Sequence, residues 1–476
     1  MRSRAGAVVA VVVAAFGAGM SWLAVAQHRA FWTGRFDLGN LTQAVWSTAH
    51  GHPLEMTDLQ GREISRLGAH FDPIIVAFAP GWRLWPDPSL LLVAQAVGVA
   101  LGAPATFLLA RRHLDSDWAG FGFGVAYLLY PPTQWLVLDD FHPVAFATPL
   151  LLWAFWFLDS DRLIAFAVVA GLAMLTKEQI GLVVAAMGVW YGFRSRRWRD
   201  GAAIAAVGSA VSVLATAVVV PHFAPGGSSP FESRYREVGG SPAGIVRTAV
   251  TDPATIAREA LGRRDRRYAV DLTAPLLGLS LLSPATTLTA APELALNALS
   301  STRTQTSIHF HYTAGAIPGL VVAAIFGACR LRRRLGRARA SLVPGVVAAA
   351  LLGGYALGPL PMWSHVPGGS TLATREHLVG HHARAAQRLL STIPPAEPVS
   401  ATNALGAHLS ARRRVFSFPV VREARWVVVD TERPSFLDAA NAPEDFSLAL
   451  RRLERSGRFE LLREEDGVRL YRRTSG

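Results

Sequence analysis

The chain has 476 residues, 51% hydrophobic and 17% charged, with a net charge of +13 and a mean hydropathy of +0.28. This balance excludes disorder for most of the length and fits a polytopic membrane protein better than a soluble enzyme. Of 47 basic residues 46 are arginine and one is Lys177, and they gather in short runs between apolar stretches, where they orient a membrane protein rather than bind nucleic acid.

Ala5–Ala26 is an uncharged run of 22 residues, long enough at about 1.5 Å per residue to cross a hydrocarbon core of roughly 30 Å. The Ala-Val-Ala before Gln27 imitates a signal-peptidase site, but the apolar stretch exceeds the usual 7 to 15 residues, so an uncleaved first span is expected. Residues 27–87 then form a first outer loop, in which Ile74–Trp85 reads as a re-entrant or interfacial helix because Pro80, Trp82 and Trp85 suit a membrane interface. Further uncharged stretches run over Pro88–Ala110, Trp118–Leu138, Pro143–Leu158, Leu163–Thr176, Gln179–Phe193, Gly201–Pro221, Leu272–Ala291, Thr313–Cys329 and Ala340–Trp363. Arg2 and Arg4, Arg111 and Arg112, Arg162, Arg194 to Arg199 and the run from Arg330 through Arg339 are placed in the cytoplasm by the positive-inside rule.

Between Arg162 and Arg194 the chain must leave and return, so Leu163–Phe193 reads as a hairpin of two short helices turning at Thr176-Lys177-Glu178. By the same parity Asp271–Ser300 dips in and comes back near Ser283-Pro284. The expected architecture is mainly α-helical, a transmembrane domain over residues 1–363 with about eleven spans. The N-terminus is cytoplasmic. From about Ser364 charges are interspersed, and residues 364–476 read as a small soluble α/β domain outside the membrane. Within it, Arg384–Leu390 and Phe446–Leu453 look helical, Arg425–Asp430 reads as a buried strand, and Phe459–Leu462 with Val468–Arg472 as a hairpin. Cys329 is the single cysteine, so no intrachain disulfide forms.

Four clusters fall on the outer side by this topology. The first is Asp37 with Arg35, Asn40, Gln43, His50, His52, His70 and Asp72; the second is Asp139, Asp140 and His142. Lys177-Glu178 is the third, and Arg303, Gln305, His309, His311 and Tyr312, with Glu293 and Asn297 in the preceding helix, are the fourth. Ionisable groups near span ends mark a site or a pathway. Each also has a structural reading. Asp37 suits a helix N-cap for Leu38–Thr48, Asp139-Asp140 a solvated turn, Lys177-Glu178 a surface pair worth little, and His309, His311 and Tyr312 an interfacial aromatic anchor. The adjacent carboxylates also leave room for a divalent metal, of unknown ligand set. No His-Glu-x-x-His, Walker, dinucleotide or Gly-x-Ser-x-Gly motif occurs in the sequence.

The motifs Phe36-Asp37-Leu38-Gly39, His70-Phe71-Asp72-Pro73, Asp140-Phe141-His142-Pro143, Lys177-Glu178, Pro292-Glu293-Leu294 and His311-Tyr312 together resemble the predicted membrane proteins grouped as domain of unknown function two thousand and seventy-nine. The layout is in turn similar to the C-type (GT-C) glycosyltransferase superfamily: many spans, an acidic residue soon after the first helix, and an outer C-terminal domain. That resemblance implies a bacterial plasma-membrane enzyme that takes a sugar from a polyprenyl-phosphate donor, itself a membrane lipid, to an extracytoplasmic acceptor. It places the catalytic carboxylate at Asp37. Asp140 would be a second carboxylate or metal ligand, and His70, His142, Lys177, Glu178, Glu293, His311 and Tyr312 would contact substrate. A Thr-Lys segment opening a later helix, as in the lipid-A aminoarabinose and protein mannosyl branches, is similar to Thr176-Lys177, although Glu178-Gln179 follows where those branches continue with Gly-Pro. Two rival readings stay open: a transporter or flippase of a lipid-linked or polar substrate, and a non-catalytic membrane scaffold.

Overall fold

The computed structural model describes residues 4–228, 231–334, 342–441 and 445–474. The basic run is thus described only as far as Arg334, and the last expected span only from Leu342; the remainder of both lies outside the described residues.

The helices fall where the apolar stretches do, but they are broken more often than uniform hydropathy suggests. Among the described residues three are long and apolar enough to cross a membrane by length and composition: Arg4–Arg29, Ser89–Leu114 and Trp198–Phe223. Shorter apolar helices cover Pro73–Leu84, Pro143–Asp159, Leu163–Met174, Ile180–Ser195 and Leu342–Leu357. Prolines account for several breaks. Tyr130 is extended, with ψ 120°, and Pro131 then opens Pro131–Leu138 as a new helix, because proline disfavours helical geometry in the residue before it. Such breaks are tolerated at membrane depth where the freed backbone is packed inside protein. Ala316–Arg332 is that interior, buried on nearly every side. Trp198–Phe223 is its opposite: it leaves Val207, Val213 and Val218 more than half exposed, an apolar flank suited to lipid.

The hairpin Leu163–Met174 and Ile180–Ser195 turns at Thr176-Lys177-Glu178 as expected. The segment expected to dip and return forms a string of short helical turns from Arg263–Thr273 to Ala291–Ala298, with Ser283 extended ahead of Pro284.

Two small sheets complete the chain. β1 (Glu55–Thr57) and β2 (Glu63–Ser65) form an antiparallel ribbon in the first loop. β3 (Val399–Ala401), β4 (Val415–Ser417), β5 (Trp426–Asp430), β6 (Phe459–Glu465) and β7 (Val468–Arg473) form a sheet in the order β4-β3-β5-β7-β6, with β3 parallel to both β4 and β5 and the β5–β7 and β7–β6 pairs antiparallel. Val427, Val428 and Val429 are buried on both faces of β5, which explains the continuous apolar run in that strand. The amphipathic helices His381–Leu390 and Phe446–Arg455 cover the sheet, contributing Leu389 to one core and Leu450 and Leu453 to the other.

Candidate functional site

A cavity of about 550 Å³ opens between the first loop, the turn after Leu138, the hairpin tip at Lys177, the segment around Arg234 and the turn at His311. Its wall includes Asp37, His70, His142, Lys177, His311 and Tyr312. Residues some 270 positions apart in sequence therefore converge on one chamber.

Asp37 lies inside a single helical turn, Arg35–Gly39, between an extended Gly34 and the helix Asn40–Ala49. It does not cap that helix, which has no side-chain cap. The turn is clamped from two directions. Asp140 accepts a hydrogen bond from the Gly34 amide at 2.8 Å, and Asn403 of the C-terminal sheet domain accepts one from the Phe36 amide at 3.0 Å. Arg35, fully buried, reaches into the sheet and donates to the Ser417 hydroxyl and to the carbonyls of Thr57 and Val415 at 2.6–2.7 Å. Close approach of the two segments requires glycine: a Cβ at Gly39 would stand 2.6 Å from the Ser410 hydroxyl, and one at Gly406 3.0 Å from the Arg35 side chain.

With its backbone fixed, the Asp37 carboxylate, about a third exposed, meets His142 Nε2 at 3.3 Å. The other nitrogen of His142 faces the Asp139 carbonyl at 2.7 Å. Both ring nitrogens thus face acceptors, the pattern of an imidazolium. Burial alone would lower the His142 pKa, but Asp37 and Asp139 outweigh it and raise the group. Burial likewise pushes Asp37 up, and the charge and hydrogen bond of His142 hold it below the usual carboxylate value. Asp139 is raised to about 6 by burial and by Asp37, against the opposing pull of His142. It accepts from both the His311 amide, at 2.7 Å, and His311 Nδ1, at 3.0 Å. His311, stripped of water beside His142, falls well below the ordinary imidazole value. It is therefore neutral and presents an Nε2 lone pair to Lys177 Nζ at 3.5 Å.

Lys177 is buried, stands 5.3 Å above the Tyr312 ring and has no carboxylate within ion-pair distance among the described residues. Its expected partner Glu178 turns the other way, to His70 Nδ1 at 2.9 Å and the Phe71 amide at 3.0 Å. The surface-pair reading of Lys177-Glu178 fails for that reason. Burial and the neighbouring arginines lower the lysine, and His70 with Lys177 overcomes burial to hold Glu178 at about 2.

Not every expected contact reaches the chamber. Asp140 is not among the residues that line the chamber; its backbone is left-handed at φ 47°, a conformation aspartate tolerates better than most residues, and its carboxylate accepts from the Gly34 amide. Glu178 acts through His70. Glu293 is buried, 3.4 Å from Gln179, with its second oxygen unpartnered and facing Gly315. His50 and His52 line a separate small pocket. The solvated-turn reading of Asp139-Asp140 and the aromatic-anchor reading of His311 and Tyr312 give way to half-buried hydrogen bonds and cavity lining; His309 packs instead on Trp135. Asp139, His142 and His311 lie close enough together to hold a metal ion; in the structure His142 faces the Asp139 carbonyl and Asp37, and His311 faces Asp139 Oδ2 and Lys177.

The sequence did not single out Arg66, Phe231 or Arg234. Arg66 makes a buried pair with Asp72 at 2.6 Å, while Arg234 donates to the Tyr312 hydroxyl at 3.3 Å and lies over Phe231. In a chain with 46 arginines, neither carries a signal of its own.

Residues 27–470 match the family described as predicted membrane protein (DUF2079), and the chain belongs to that family. Its fold is similar to that of ArnT from Cupriavidus metallidurans, whose crystal structure in the apo state aligns over 97% of each chain with a TM-score of 0.54 at 14% sequence identity. The protein is thus a mainly helical membrane protein of that family with an ArnT-like fold and a small C-terminal sheet. No curated protein matches its sequence.

Proposed function

We propose that this DUF2079 protein is an inverting glycosyltransferase that moves a sugar from a polyprenyl-phosphate donor to an extracytoplasmic acceptor, with Asp37 as general base. The observation that carries the reading is one chamber in which an ionised carboxylate, Asp37, and cationic side chains at Lys177 and Arg234 line the same space. Glycosyl transfer needs those two opposite fields a few ångströms apart.

In the proposed step the acceptor oxygen attacks the anomeric carbon. The bond from that carbon to the donor phosphate breaks, the phosphate keeps the electron pair, and the hydroxyl proton passes to Asp37. A carboxylate held low by His142 is a weak base, and it takes the proton only as the new bond makes the hydroxyl acidic. Lys177 and Arg234 hold the departing phosphate, and a single displacement inverts the anomeric centre. Under this reading the N-terminus is cytoplasmic in a bacterial plasma membrane, and the chamber and residues 364–476 lie outside.

Asp37→Asn keeps shape and removes the base. We expect it to lower transfer from a polyprenyl-phosphate sugar by about 10²- to 10⁴-fold in a protein that still unfolds cooperatively; transfer at the wild-type rate would remove Asp37 as base.

A further inference from the structure

We propose that the C-terminal sheet domain carries a site for a divalent transition metal of the zinc class, formed by His382, Asp466 and Glu432. Three elements bring these residues together at one end of the strands. His382 sits in the first turn of the helix His381–Leu390, Glu432 follows the end of β5, and Asp466 lies in the turn between β6 and β7. The ligand atoms all lie within 4.8 Å of one another.

The imidazole points to a ligand. His382 is 95% buried, from a relative exposure of 5%. Its Nε2 is 2.7 Å from Asp430 Oδ2, and the other oxygen of Asp430 accepts from the amides of Glu432 and Arg433 at 3.0 and 2.9 Å. With Oδ1 of Asp430 accepting from those two amides and Oδ2 standing 2.7 Å from Nε2, the ring donates its Nε2–H to Asp430, and in that neutral tautomer Nδ1 carries the lone pair. Among the described residues Nδ1 has no hydrogen-bond partner. It faces carboxylate oxygens, Asp466 Oδ2 at 3.4 Å and Glu432 Oε2 at 4.0 Å. A lone pair aimed at two anions is repelled unless a cation stands between them.

The spacing fits that cation. Ligands about 2.0–2.2 Å from a tetrahedral zinc lie roughly 3.4 Å from one another, which the Nδ1 to Oδ2 distance matches. A protonated imidazole bonded to Asp466 would instead draw in to about 2.7–2.9 Å. A carboxylate orienting the far nitrogen of a ligating histidine, as Asp430 does, is the usual support of a metal imidazole. One imidazole among the ligands favours zinc-like ions over magnesium or calcium. Glu432 and Asp466 are 58% and 31% exposed, which leaves a path for entry and room for water to complete the shell. The Glu432 side chain also lies across Gly467, where a Cβ would meet it at 2.4 Å. His381 Nδ1, at 3.4 Å from Asp466 Oδ2, stands beside the site. None of these residues lines the Asp37 chamber, so the site stands whether or not the transferase reading does.

The test is Zn²⁺ titration of the full-length protein, purified in detergent and stripped with a chelator, with stoichiometry read by calorimetry and elemental analysis. Asp466→Asn and Glu432→Gln alter partly exposed side chains and preserve size. We expect the wild type to bind one more equivalent than either variant, or to bind that equivalent at least about tenfold more tightly. Co²⁺ should give visible absorption bands in the wild type that Asp466→Asn loses. Identical Zn²⁺ stoichiometry and affinity in wild type and Asp466→Asn would overturn the proposal. So would the absence of Zn²⁺ binding together with a protonated His382 Nδ1 seen by nitrogen NMR, which assigns the cluster to an imidazolium ion pair.

Discussion

His142 lies flat against His311, with ring centroids 3.6 Å apart and planes 20° from parallel. Two imidazoles in contact do not share two positive charges at ordinary pH, and their surroundings assign the single one. His142 stands between Asp37 and the Asp139 carbonyl, while His311 donates to Asp139 and turns its lone pair to Lys177. The result is a line of contact from the proposed base to the proposed phosphate cation, through two rings that differ in protonation.

That line gives Lys177 a definite geometry, because His311 accepts from it at 3.5 Å and Tyr312 supports it from one side. Arginine keeps the charge but replaces a compact ammonium with a planar fork that needs more room. Lys177→Arg should raise the donor KM about tenfold, and Lys177→Met by up to about 100-fold, since a hydrogen bond to a charged group is worth about 1.5–3 kcal/mol. Steady-state kinetics at varied donor concentration checks this. An unchanged KM in both variants would take Lys177 away from the phosphate.

Glu178 supplies a pH-dependent brace for the same wall. Its carboxyl is held at about 2 in the folded protein, against an ordinary value of 4.5, because His70 and Lys177 outweigh burial. A depressed carboxylate contributes stability above its unfolded value and loses it as pH falls toward the folded one. Glu178 therefore stabilises the fold fully above about pH 4.5 and loses that contribution down to about pH 2, roughly 3 kcal/mol in all. Asp139, raised to about 6, acts in the opposite sense, its contribution fading as pH rises from about 4 to 6. Thermal unfolding of Glu178→Gln across pH 2.5–7 should show a flatter acid limb than the wild type, on the order of 2 kcal/mol less loss by pH 2.5. Parallel acid limbs would contradict the brace.

How much of this was legible in the sequence follows from what each residue's signal depends on. The hairpin at Lys177 was readable because arginines on either side, at Arg162 and Arg194, force the chain out and back. The strand Trp426–Asp430 was readable because an apolar run bounded by charges has few other uses. Asp37, His142, Lys177 and His311 were drawn to one side by parity alone, and they line one chamber. Which segment each of the two adjacent carboxylates holds is not readable. Asp139 and Asp140 are identical in type and neither lines the chamber; Asp140, with its left-handed backbone, accepts from Gly34, while Asp139 accepts from His311. The breaks within the helices were equally hidden, because hydropathy is insensitive to where buried backbone is repaid by neighbouring protein.

Arg35 falls by sequence in the first cluster of candidate residues, and in the structure it is the post that joins the Asp37 turn to the sheet. Its guanidinium donates to Ser417, Thr57 and Val415 with no exposure to solvent. Arg35→Met fills similar space but strands two buried carbonyls and a hydroxyl. Losing hydrogen bonds from a charged donor to buried acceptors costs about 3–5 kcal/mol when several go together. Because Asp37 lies two residues away within the same turn, the loosening should reach the chamber. Amide exchange should accelerate both in β3–β4, at residues 399–417, and in residues 35–40. Transfer activity should fall through kcat more than through donor KM, since the proposed phosphate contacts at Lys177 and Arg234 stay in place. Arg35→Lys should rescue little, because one ammonium cannot reach three acceptors set for a fork. If exchange quickened in the sheet while residues 35–40 stayed protected, the C-terminal domain would be a passenger on the membrane domain. Acceleration in both segments would make it part of the apparatus that holds Asp37 in place.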